Sequence, residues 1–125
     1  MIIFIKKILP TIVTYTDEGI GENYGGYASG MYIVIRPKYQ DDKGILEHEK
    51  IHVWQWYRTF GFHSAWYKSS EKYRLKCEVE AFKVQLATNL KQGFPDYTDY
   101  YAERLSVIYG INISKEASRE LLMEG

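Results

Sequence analysis

The chain has 125 residues, a length that suits one domain with a moderate core and needs neither disulfides nor metal merely to fold. Lys plus Arg and Asp plus Glu are each 16, so the net charge is zero, which leaves no basic patch to draw nucleic acid or an anionic membrane. A single cysteine, Cys77, excludes an intrachain disulfide and fits a reducing compartment, with the cytoplasm as the expected location.

Residues 2–9 and 11–15 are rich in β-branched side chains and read as two strands parted by Pro10. The apolar run that opens the chain is too short to span a bilayer, and Lys6 and Lys7 follow it where a secretion signal would place them before it. Four glycines between 17 and 26 mark a loop. A strand is expected over 27–36, centred on Tyr32-Ile33-Val34-Ile35 and ended by Pro37. Asp41 or Asp42 can cap a helix running from Lys43 to about Phe60, where Gly61-Phe62-His63-Ser64 interrupts it as a loop. Leu75, Val79, Phe82 and Leu86 recur at helical spacing and predict a second helix over 71–90, closed near Gly93. A third helix opens at Asp96 or Thr98 and reaches Tyr109, and Ser114 caps a last short one through Met123. Strands first and helices afterwards make the fold α+β, as one domain over 1–125.

Chemistry concentrates at His48-Glu49-Lys50-Ile51-His52, an HExxH pattern inside the first helix. Residues four apart lie on one helix face, so the two imidazoles can reach one zinc ion, Zn2+. Glu49, beside the first of them, can take a proton from a zinc-activated water and pass it to the leaving amine. By this chain's own composition the pattern has a chance of roughly half a percent. The bland alternative is a pair of core histidines satisfied by ordinary hydrogen bonds.

A catalytic zinc site needs a third protein ligand. His63, eleven residues after His52 without the intervening turn residues of a long HExxH motif, is a poor one. The second helix offers Glu78 and Glu80, which fall on opposite faces about 200° apart. Glu78 borders the apolar stripe, and Glu80 is expected to face solvent. Arg74 is expected to pair with Glu78 or Glu71 at the surface, and Gln55 either braces His52 or merely packs.

HExxH followed by Glu78-Val79-Glu80-Ala81 on a second helix resembles the gluzincin metallopeptidases, whose third ligand is the glutamate of an ExxAD motif. The stretch Glu47 to Gln55 (EHEKIHVWQ) is also similar to minimal zinc-peptidase-like proteins, phage and bacterial ones among them; the similarity covers residues 32–85. It implies a zincin-like fold with His48, His52 and Glu78 as metal ligands, Glu49 as catalytic base, Ala81 as the small residue that lets the helices approach, and a peptide or protein as substrate. The resemblance also implies that the strand before the motif, 32–36, pairs with an extended substrate unless it is an inner strand. One position departs: Phe82 stands where the motif has aspartate, so another group must orient the histidines. For the oxyanion donor, His63, Tyr73, Tyr97 and Tyr101 are all conceivable. An alternative activity class is a zinc-binding structural or interaction protein of the same fold with little or no proteolysis.

Overall fold

The computed structural model describes residues 1–124. The fold is α+β: a four-stranded mixed sheet followed by five α-helices. Strands β1 (Ile2–Ile5), β2 (Leu9–Tyr15), β3 (Gly26–Ser29) and β4 (Tyr32–Ile35) lie in the order β1-β2-β4-β3. β1 and β2 pair antiparallel with Phe4 opposite Pro10, β2 and β4 run parallel from Ile12 opposite Tyr32, and β3 and β4 are antiparallel.

Two strand boundaries differ from the sequence expectation. Pro10 lies inside β2; pairing with β4 begins only at Ile12, so the missing N–H falls where β2 has no partner on that side. The break comes instead at Lys6 and Lys7, which turn the chain with φ of 50° and 67°. The expected strand over 27–36 is in fact a hairpin. Ser29 pairs with Tyr32 across Gly30-Met31, and Gly30, at φ 60°, supplies the positive dihedral that a two-residue turn of this kind requires. β4 is therefore an inner strand, and β3 is the free edge.

The helices are α1 (Lys43–Arg58), α2 (His63–Ser69), α3 (Glu71–Lys91), α4 (Thr98–Val107) and α5 (Lys115–Met123). Asp42, Ser70 and Ser114 cap α1, α3 and α5 by accepting from Ile45, Tyr73 and Ala117 amides. Gly93, at φ 83°, follows the end of α3, and the Phe94 amide reaches back to the Asn89 carbonyl. His63 starts α2 instead of sitting in a loop. No helix among the described residues is long and apolar enough to cross a membrane.

Two cores result. Ile5, Val13, Ile33, Ile35 and Val53 join the sheet to one face of α1, and Phe82, Leu86, Tyr101, Ala102, Leu105 and Leu122 join α3, α4 and α5. Between them α1 lies against α3, and Ala81 on α3 is wholly buried. The seam itself is polar: Gln55, Glu78, Gln85 and Asn89 are all buried there. Such groups are costly away from water unless they find partners.

Candidate metal centre

His48 and His52 stand one turn apart on the face of α1 that meets α3, and Glu78 comes up from α3 opposite them. His48 and Glu78 are almost completely buried. The three facing atoms form a near-equilateral triangle. His48 Nε2 and His52 Nε2 are 3.2 Å apart, His52 Nε2 and Glu78 Oε1 3.2 Å, and His48 Nε2 and Glu78 Oε1 3.3 Å. This buried group can hold a metal ion. Glu80 lies outside it, held by Arg58 at 3.1 and 3.2 Å and by the Gln55 amide at 2.7 Å, so the choice between the two glutamates falls to Glu78.

The electrostatics follow from the crowding. Burial works against a charge on His52, but the Glu78 carboxylate outweighs it through Coulombic attraction and a hydrogen bond, and the pKa rises to about 9. Burial would raise Glu78, yet the His52 charge and hydrogen bonds from both histidines hold it well below the usual carboxylate range. A proton shared between these groups does the job a cation would do. Glu49, adjacent to His48 and buried, has its pKa raised by burial against the lowering influence of both histidines.

The surroundings include side chains that sequence spacing did not single out. Tyr67 on α2 donates its hydroxyl to Glu78 Oε2, leaving Oε1 to face the histidines. Burial and the Glu78 charge keep that phenol protonated. Arg74 does not pair with Glu78 or Glu71; it donates to the Tyr67, Tyr109 and Gly110 carbonyls and so ties α2 to the chain after α4. The Phe82 ring stands edge-on to His48 with centroids 4.6 Å apart, and His48 Nδ1 is buried without a hydrogen-bond partner among the described residues. Gln55 is wholly buried and places Oε1 2.8 Å from His52 Nδ1.

Two cavities of about 410 Å³ each meet at the centre, and both are lined by Tyr24, Gly26, His48, Glu49 and Tyr109. Glu49 therefore borders both, and they form the two arms of the site. One arm runs along the free edge of β3, from Gly26 to Gly30, towards His63, Tyr67 and Lys68. The other runs past Arg36, Tyr39, Gln85 and Arg104. Of the four side chains considered for oxyanion duty, His63 and Tyr101 line the cleft, while Tyr73 and Tyr97 do not. His63 is kept neutral by burial and the nearby His52 charge, with a pKa lowered to about 4, and its Nδ1 lies 2.9 Å from the Tyr73 hydroxyl.

No protein-family model, curated protein or solved structure matches this chain.

Proposed function

We propose that the chain is a zinc-dependent peptidase of zincin-like architecture, with His48, His52 and Glu78 as ligands and Glu49 as general base. The observation that carries this reading is the triangle of donor atoms. In a tetrahedral zinc site with ligand distances of roughly 2.0–2.1 Å, adjacent ligands lie about 3.3–3.4 Å apart. The 3.2–3.3 Å edges here fit that spacing. Two imidazoles and a carboxylate also make a donor set that suits zinc and leaves a fourth position open.

When bound, zinc supplies Lewis acidity and brings the pKa of its water towards neutrality. Glu49, where both arms meet, is the group that would accept a proton from the attacking water and return it to the leaving amine. Burial makes its carboxylate a stronger base than an exposed one, which suits a group that must both take and return a proton. Tyr67 holds the second oxygen of Glu78, so a single oxygen is offered to the ion. Tyr109 borders both arms beside Glu49, and burial keeps its phenol protonated, so it can donate to a developing oxyanion.

The substrate class follows from the cleft. β3 presents an unpaired backbone edge along it, and an extended polypeptide can add there as a further strand, recognised mainly through its main chain. Two arms that meet at Glu49 suit cleavage within a chain. Neither the charge balance nor any helix offers a reason for nucleic acid or membrane as partner.

A second reading, a zinc-holding structural or interaction protein with little hydrolysis, is favoured by one observation: His48 Nδ1 has no acceptor, because Phe82 occupies the aspartate position. One experiment separates the two. Purified protein is expected to carry about one zinc per chain and to cut unfolded polypeptides, and Glu49→Gln is expected to keep the metal while hydrolysis falls by about 100-fold or more. Zinc retention with no hydrolysis by the unmodified chain selects the second reading. Loss of zinc on Glu49→Gln removes the assigned role of Glu49.

A further inference from the structure

We infer that Gln55 is a positioning residue: it fixes His52 with a proton on Nδ1 and with Nε2 aimed at the metal cluster. The inference rests on the proposed metal site and adds to it the group that sets one ligand's tautomer.

Gln55 Nε2 lies 3.1 Å from the Cys77 carbonyl oxygen and 2.7 Å from Glu80 Oε1. Both can only accept, so both must receive the amide's two N–H groups. The opposite amide orientation would set Oε1 against a carbonyl and a carboxylate in a fully buried place. Oε1 therefore faces His52 Nδ1, at 2.8 Å, and that nitrogen must be the donor. Nδ1 therefore keeps its proton in either charge state, and Nε2, 3.2 Å from both His48 Nε2 and Glu78 Oε1, is the nitrogen that gives up its proton to bind.

Glu80 anchors this arrangement from outside. Arg58, three residues beyond Gln55 on α1, donates both terminal nitrogens to it. Glu80 thus remains an anion on the far side of the amide, despite partial burial. A glutamate that sequence spacing placed idly at the surface becomes the end of a chain running Arg58–Glu80–Gln55–His52. His48 has no such chain; it is held by packing against Phe82 and by the geometry of α1. The two histidines are therefore supported unequally, and His52 is the oriented one.

The test uses the full chain with zinc as the probe, read by competition with a chromophoric chelator and by imidazole ¹⁵N–¹H NMR. Gln55→Leu is expected to weaken zinc binding by about 10- to 100-fold and to abolish the slowly exchanging Nδ1 proton of His52. Because Gln55 is buried, the double variant Gln55→Glu/Glu80→Gln carries the test should Gln55→Leu not fold. It restores an acceptor to Nδ1 and is expected to recover both the proton signal and most of the affinity. Unchanged zinc affinity in Gln55→Leu, or a double variant that folds but lacks the Nδ1 proton, overturns the inference. If the unmodified chain takes up no zinc, the proposed function falls; the Nδ1 proton, read in chelator-treated protein, then still decides for or against Gln55.

Discussion

Uptake of a metal by His48, His52 and Glu78 has to displace a proton. His52 titrates at about 9 because Glu78 faces it at 3.2 Å inside a buried seam. At pH 7 that imidazole is mostly protonated in the metal-free chain, and the competition lowers apparent metal affinity by about 100-fold. Apparent zinc affinity is therefore expected to rise by about tenfold per pH unit between pH 6 and 8 and to flatten above pH 9. Chelator competition at several pH values, corrected for the chelator's own protonation, gives that slope. Calorimetry in buffers of different ionisation enthalpy counts the protons, and about one should be released per zinc at pH 7. Glu78→Gln removes the charge that raises His52, so fewer protons should be displaced by the residual binding. A flat affinity profile with no proton release at pH 7 would refute the reasoning, because the three atoms could not then be sharing a proton that the metal replaces.

The same ion pair sets the alkaline stability of the metal-free chain. The folded pKa of His52 lies above its ordinary value of 6.5, so its contribution is complete below pH 6.5 and is lost as pH rises towards 9, by up to about 3 kcal/mol. Thermal unfolding with chelator present should weaken through that window; a rise would count against the pairing. Tyr67→Phe removes the hydroxyl that holds Glu78 Oε2, and zinc affinity measured by competition is expected to fall by about tenfold. Gly44→Ala would set a methyl group 2.2 Å from Oδ1 of the buried Asn89, forcing α1 off α3; urea unfolding should report a loss of about 1–3 kcal/mol, and an unchanged midpoint would mean the seam is loose at that end.

The parts of this molecule that the sequence made legible are those governed by local periodicity. The i, i+4 spacing of His48 and His52 and the capping side chains of Asp42 and Ser114 follow from helix geometry, whereas Glu80, expected to face solvent, reaches Gln55 and Arg58 on α1. What stayed hidden depends on contacts far apart in the chain or on one backbone dihedral. Gly30 splits the expected strand over 27–36 into a hairpin, and this makes β3 an edge of the sheet and β4 an inner strand. A lone glycine within the expected strand, Gly30, was the available signal. Tyr67 and Tyr109 reach the cleft from α2 and from the chain after α4, and nothing in their sequence neighbours distinguishes them from the other ten tyrosines. Gln55 was visible as the residue three after His52, but its burial and its link to Glu80 come from the packing of α1 on α3.

That packing explains why site and fold are hard to separate. α1 gives an apolar face to the sheet, but its contact with α3 holds His48, His52 and Gln55 on one helix and Glu78, Gln85 and Asn89 on the other. A seam so polar contributes little hydrophobic stabilisation, and its centre brings two imidazole nitrogens and a carboxylate oxygen within 3.3 Å of one another. Atoms with that much lone-pair density repel unless something positive stands among them, and a proton can satisfy only part of the set at once. A divalent cation satisfies all three. On the proposed reading a metal ion would complete this contact between the two helices, and metal affinity and the grip of α1 on α3 would then be two measures of one free energy.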